Sequence, residues 1–192
     1  MYIRRLTAND TQPYSDIRLK ALKDHPDAFA VSYDEEKEWP SEKFKARLEA
    51  DNAIVLGAFE KDRLIGILKI SKHPLFKLRH IAVIGSMYIS PKHRGSGAGK
   101  ALMTEAISRA KKMKNTEQLH LSVTSTNEPA KKLYAQLGFI LFSTEKRALK
   151  LDHQQYVDVD NGFISVMNLE NNCSGFFFLS RSFQTTGMLI MT

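Results

Sequence analysis

Residues 94–100 read Arg94-Gly95-Ser96-Gly97-Ala98-Gly99-Lys100. Alternating glycines remove the side chains that keep a ligand away from the main chain. A strand-like run at 84–90 precedes this turn and a helix-like run at 98–114 follows it. A helix start aims its unpaired N–H groups and the positive end of its dipole at the loop before it. Together these make an anion site, and a polyphosphate is its natural occupant. Arg94 and Lys100 add positive charge at the two ends. Farther along, Tyr134 lies on another helix-like stretch. A phenol keeps its proton at neutral pH and can give it to a departing anion. Its spacing with Ala130, Leu133 and Leu137 equally suits a core tyrosine with its hydroxyl at the edge.

Glycine loops serve several chemistries, and the spacing separates them. A Walker loop needs Gly-x-x-x-x-Gly-Lys followed by Ser or Thr. Here Gly99-Lys100 is followed by Ala101, and Arg94 stands where the first glycine belongs. A dinucleotide fingerprint needs Gly-x-Gly-x-x-Gly at the start of a βαβ unit. This chain has Gly-x-Gly-x-Gly instead. The bland alternative is a surface turn that binds nothing.

The turn, with the preceding strand end Met87-Tyr88-Ile89-Ser90-Pro91, resembles the pyrophosphate loop of the GNAT acyltransferase superfamily, in its pattern Arg94-x-x-Gly97-x-Gly99. A second motif agrees: Asn127-x-x-Ala130-x-x-x-Tyr134, followed by Leu137-Gly138-Phe139, is similar to the family's Asn-x-x-Ala-x-x-x-Tyr helix and the Gly-Phe that opens the next strand. The resemblance implies an α/β (α+β) fold with a mixed, mostly antiparallel, splayed central sheet flanked by about four helices. It also implies transfer of an acetyl group from acetyl-CoA to a primary amine, directly within a ternary complex. On this resemblance the main chain of Met87, Tyr88 and Ile89 meets the pantetheine arm. Arg94, Gly95, Ser96, Gly97, Ala98, Gly99 and Lys100 hold the pyrophosphate. Asn127 bonds the pantetheine amide, caps its helix, or does both. An N–H near Met87 or Tyr88 polarises the thioester oxygen, and Tyr134 is the general acid.

Many relatives carry a glutamate on the strand before the glycine loop, whereas residues 83–90 here contain no carboxylate. Glu36 is the substitute candidate for the general base, with Glu35 behind it and water as the alternative. Residues 28–36 resemble the segment that lines the acceptor pocket in one branch of the family. Phe29, Tyr33 and Trp39 would give that pocket aromatic walls. Asp34, Glu35 and Glu36 would suit a cationic acceptor. The acceptor is a small-molecule amine or a protein N-terminus. The alternative function is a non-catalytic acyl-CoA-binding sensor.

The elements that must position these residues follow from periodicity. A strand at 2–6 precedes a helix at 13–23 that buries Tyr14, Ile17, Ala21 and Leu22. A second helix starts at Pro40-Ser41 and runs to about residue 50. Strands at 53–60 and 64–71 are joined as a hairpin. The strand at 82–89 is apolar on both faces and therefore central, with Gly85 the expected bulge or close approach. Leu102, Met103, Ala106, Ile107, Ala110 and Met113 form one apolar arc of the helix after the glycine turn. A strand at 119–123 leads to the Tyr134 helix, which Gly138 stops. Strands at 139–144 and 162–169 follow, with a further extended piece within 147–157.

Composition bounds the rest. The 192 residues suffice for one domain with a substantial core. The net charge of +7 is spread along the chain, without the basic face and interleaved aromatics of a nucleic-acid module. No apolar run reaches the roughly 18 residues of a membrane span. The single cysteine, Cys173, forms no intrachain disulfide, and no cluster has metal-ligand spacing, so a cytoplasmic, metal-free enzyme is expected. The resemblance covers roughly residues 1–170, which are expected to form the acetyltransferase domain. Residues 171–192, with Phe176-Phe177-Phe178 and Met188-Leu189-Ile190-Met191, form an atypical extension. It adds a strand, docks on a second subunit in a homodimer, or stays an exposed aggregation-prone tail.

Overall fold

Two strands joined by the left-handed residues Lys61 and Asp62 form a hairpin in this computed structural model, which describes residues 1–151 and 155–166. They are β2 (Ala53–Glu60) and β3 (Arg63–Lys72). Before them come β1 (Tyr2–Arg5), α1 (Thr11–Asp24), the single turn α2 (Tyr33–Glu36) and α3 (Ser41–Glu49). After them come β4 (Ile81–Ile89), α4 (Ala98–Lys112), β5 (Gln118–Thr124), α5 (Glu128–Gln136), β6 (Ile140–Lys150) and β7 (Tyr156–Ser165). The expected extension at 171–192, with Cys173, lies outside the described residues.

The strands form one sheet in the order β1-β2-β3-β4-β5-β7-β6. All neighbours are antiparallel except β4 and β5. The fold expected from the sequence is thus the fold observed. Two apolar layers cover the sheet. On one face α4 and α5 pack Leu102, Met103, Ala106 and Tyr134 against Leu68, Ile70, Ala82 and Leu121. On the other, α1 and α3 pack Tyr14, Ile17, Phe44 and Leu48 against Val55, Phe59 and Ile67. Each fully buried Leu or Met contributes about 2 kcal/mol relative to exposure. The α4 arc is core as its spacing requires, with Ile107 and Met113 at its margin.

Three departures from the sequence reading have physical causes. Helix α1 starts at Thr11, two residues ahead of the expected start, and Asp10 at its N-terminus makes no side-chain bond to the helix. Asp10 instead takes two hydrogen bonds from Arg4 and one from Thr7 N–H. The last strand, β7, begins six residues earlier than residue 162. Asp158, Asp160 and Asn161 are residues that strands usually avoid. Here Lys146 and Arg147 N–H bond Asp158, Thr144 and Ser125 bond Asp160, and Ser122 bonds Asn161. Cross-strand bonding of this kind is invisible to a hydropathy pattern. In β4 the left-handed residue is Ser86, at φ 53°, and not Gly85.

That serine sets up the site. Between the pairs Lys69↔Gly85 and Ile67↔Tyr88, β4 carries one more residue than β3. The bulge adds twist. Pairing between β4 and β5 runs only from Ile81↔Gln118 to Ile84↔Leu121. From Gly85 to Ile89 the β4 edge that faces β5 has no strand partner, and the sheet opens as a V.

Candidate active site

The V opens into a cleft of about 490 Å³. The second half of β4 forms one wall, through Met87, Tyr88 and Ile89, and α5 forms the other, through Ala130, Leu133 and Tyr134. Arg94, Gly95 and Gly99 line its far end, and Asn127 lies at the α5 start. At the apex a side cavity of about 80 Å³ lies between Ile84–Met87 of β4 and Leu121–Thr124 of β5. Phe29, Met87, Asn127 and Tyr134 border both spaces.

The glycine turn is built as an anion site requires. Gly95 and Gly97 have φ of +77° and +85°, a conformation that costs other residues about 1–2 kcal/mol. Gly97 is the N-cap of α4, and the first helical bond runs from Ala101 N–H to Gly97 C=O at 3.0 Å. The N–H groups of Ala98, Gly99 and Lys100 precede that bond and have no partner within the helix. A Cβ on Gly99 would lie 3.3 Å from Met87 Cε and 3.4 Å from Leu133 Cδ2, so the helix start sits hard against β4 and α5. Ser96 Oγ donates to the His93 carbonyl at 2.7 Å and ties the turn down. Ser96, Gly97, Ala98 and Lys100 shape the turn without lining the cleft itself. These residues fit a diphosphate: free amides, a helix N-terminus and bare backbone converge on one end of an open cleft.

Arg94 is turned toward β4: its Nε donates to the Ile89 carbonyl at 3.2 Å, and Nη2 lies 2.7 Å from His25 Nε2. Tyr88 is buried and lies 3.3 Å from Asp24 Oδ2, so its side chain serves the core while its main chain faces the V. Asn127 caps α5, accepting from Ala130 N–H at 3.2 Å, and it also lines the cleft.

Tyr134 is 7% exposed, with its hydroxyl 3.4 Å from Met87 Sδ. A thioether is a weak acceptor, so the phenol proton is free for a better one. Burial pushes the phenol up to about 12, which keeps it protonated throughout the working range. Tyr134 packs in the core and also lines the cleft, beside Met87.

Glu36 is placed differently from a base. It is fully buried and outside the residues that line the cleft. Arg18 grips it with two bonds of 2.9 and 3.0 Å, and Arg47 adds one of 2.9 Å. Burial alone would push its carboxyl up, but the bonds and charges of Arg18 and Arg47 outweigh that and hold it below the ordinary carboxylate range. A group so stabilised as an anion is a poor proton acceptor. Its evident work is structural, pinning α2 to α1 and α3. Glu36→Gln is therefore expected to cost about 2 kcal/mol in chemical denaturation at pH 7. A depressed carboxylate stabilises the fold above its unfolded pKa, ordinarily 4.5, and loses that contribution as pH falls through its folded value. The difference between mutant and parent should therefore shrink below about pH 4.

Glu35 closes a capping box with Ser32, and Asp34 pairs with Lys37. Of the three expected aromatic walls, Phe29 lines both spaces, while Trp39 packs on Phe44 and under Arg47. The sequence reading gave His25 and Asp27 no role at the site, and it weighed His93 only as one of three histidines, with His80 and His120, that titrate in the range of a base. All three line the cleft, and Asp27 is the carboxylate among the described lining residues. His25-Pro26-Asp27 reads locally as a helix stop, and only the tertiary fold brings it opposite Arg94. His120 faces away from the cleft, among Phe142 and Phe163. Among the described residues no three His, Cys, Asp or Glu side chains are grouped to hold a metal, and no helix is long and apolar enough to cross a membrane.

Comparison with known proteins agrees with this architecture. An uncharacterized N-acetyltransferase of Methanocaldococcus jannaschii is 27% identical over 139 residues, 71% of this chain and 59% of that protein. The chain thus spans less than two thirds of that relative's length. The acetyltransferase of the GNAT family from Streptococcus pneumoniae superposes with a TM-score of 0.77 at 24% identity, over 85% of this chain and 98% of that one. The structure of yncA from Salmonella typhimurium with its cofactor acetyl-CoA gives 0.72 at 20% identity, over 86% and 94%. Residues 18–139 match the Acetyltransferase (GNAT) family. Motif, sheet and family match converge, and the chain belongs to the GNAT acetyltransferases.

Proposed function

We propose that this protein transfers the acetyl group of acetyl-CoA directly to a primary amine, with both substrates bound together. The observation that carries the reading is the unpaired Gly85–Ile89 edge of β4, which opens on a cleft whose far end is lined by Arg94, Gly95 and Gly99 of the glycine turn. The amides of Ala98, Gly99 and Lys100 hold the diphosphate, and Gly95, Ser96 and Gly97 give the turn its shape. Lys100 adds charge from the helix start, and Arg94 closes the end of the cleft. The backbone of Met87, Tyr88 and Ile89 pairs with the pantetheine arm as a strand would, and Asn127 meets it from α5. An N–H at the bulge polarises the thioester oxygen.

Holding both reactants in one cleft makes the step effectively unimolecular. The amine nitrogen forms its bond to the carbonyl carbon as the carbon–sulfur bond breaks. Tyr134 gives its proton to the departing sulfur and recovers one from solvent. The amine's proton leaves through water toward Asp27, the cleft carboxylate. Glu36 holds the acceptor side in shape and takes no proton. The working form is an intracellular enzyme without a metal.

Incubating the protein with acetyl-CoA and a panel of amines, with free thiol followed spectroscopically, tests the reading. Thiol release that depends on an amine is expected. Tight acetyl-CoA binding without turnover on any amine would instead identify an acyl-CoA sensor.

A further inference from the structure

The side cavity at the apex of the V has an unbalanced charge behind its wall. Phe29, Gly85 and Ser86 line it. Arg18 lies directly behind: its Nη1 is 3.4 Å from Ser86 Oγ, and its guanidinium is 5.2 Å from the Phe29 ring centre. Lys69 stands across the strands from Gly85. Directly paired residues in antiparallel strands point to the same face. A Cβ on Gly85 would meet no atom within 4 Å, so the space beside Lys69 on that face is open.

Three cations gather here, Lys69, Arg18 and Arg47, against one carboxylate, Glu36. That carboxylate is already committed to both arginines. Lys69 is half-buried, and among the described residues it has no ion pair or hydrogen-bond acceptor. Burial pushes its ammonium down, and the charges of Arg47 and Arg18 push it further, against a weaker pull from Glu36. A half-buried ammonium without a counter-ion is costly. The acids that seemed to favour a cationic acceptor are all engaged: Asp34 with Lys37, Glu35 with Ser32, Glu36 with the two arginines.

We propose that the acceptor is a small amine that also carries an anionic group, a carboxylate or a phosphate, and that Lys69, which stands behind the cavity lining and across the strands from Gly85, binds this group through the open space at Gly85. The proposal rests on the acetyltransferase reading above. Arg18 and Arg47 act from behind as fixed positive charge. The amine sits at the mouth shared with the cleft, near Met87 and Tyr134. Gly85 and Met87 flank the bulged, left-handed Ser86 and both border the cavity, so the acceptor spans the bulge.

Four acceptors of similar length isolate the charge: 4-aminobutyrate, 3-aminopropyl phosphate, the neutral 4-aminobutyramide and the cationic putrescine. At least one of the two anionic acceptors should show kcat/KM at least tenfold above the amide and the diamine, and the better of them identifies the headgroup. Lys69→Met should remove this preference by raising KM for the anionic acceptor at least tenfold. Lys69→Arg should retain most of the preference. The Kd of acetyl-CoA, measured by calorimetry, should stay the same in both variants. Equal or better use of the amide or of putrescine overturns the proposal, as does a preference that survives in Lys69→Met. Turnover of none of the four with acetyl-CoA bound normally also overturns it. Failure to bind acetyl-CoA at all strikes the acetyltransferase reading itself.

Discussion

Gly97→Glu should weaken acetyl-CoA binding at least a hundredfold by calorimetry, equivalent to about 2.7 kcal/mol. Steric overlap is not the cause, because a Cβ at Gly97 would meet no atom within 4 Å. Two other effects act. The φ of +85° penalises any side chain by about 1–2 kcal/mol, a cost to folding more than to binding. The larger effect is charge. A carboxylate at the N-cap of α4 competes for the amides of Ala98, Gly99 and Lys100 and repels the diphosphate from them. A negative charge at a helix N-terminus is itself favourable, so the variant should remain folded. Gly97→Ala separates the two effects. It carries the backbone strain without the charge, and should lose stability while keeping most of its affinity. Unchanged affinity in Gly97→Glu would mean that the turn does not hold the diphosphate.

The parts of this fold that could be read from the sequence are those whose signal is local. The α4 arc repeats at helical spacing, and Gly138, at φ +89°, stops α5 as read. The glycine turn was legible as a turn because its glycines mark left-handed backbone at Gly95 and Gly97 without help from distant partners. Features created by distant partners stayed hidden. Glu36 looked like one of three solvated acids beside a pocket, yet Arg18 lies 18 residues before it and Arg47 lies 11 after it. Ser86 carries the bulge that Gly85 seemed to mark, since β3, α1 and the splay together impose its strain. Gly85 keeps ordinary backbone and contributes empty space instead. His25 and Asp27 reach the cleft only because α1 ends opposite β4. The cationic surplus around Lys69 is of the same kind: it requires β3, α1 and α3 to meet.

Tyr134→Phe is expected to lower kcat at least a hundredfold and leave the Kd of acetyl-CoA within about twofold, the range of a lost general acid. The substitution removes one oxygen. The ring keeps its place beside Phe139, 6.0 Å away between centres, and among the α4 and α5 residues of the core. The lost bond to Met87 Sδ is weak, so a purely structural role predicts little change in either constant. The pH profile separates the roles further. Burial holds the phenol up at about 12, so the acid form persists on the acidic side of that value. Between about pH 6 and 10 the parent should show no loss of kcat from phenol ionisation, and the ratio of parent to variant should be constant. A parent rate that declines with a midpoint near pH 9, and a variant that lacks this decline, would mean that the phenol titrates in the working range. Equal kcat in parent and variant at every pH would leave Tyr134 a core residue only. The thiolate would then take its proton from water, and catalysis would rest on the alignment of amine and thioester in the V of the sheet.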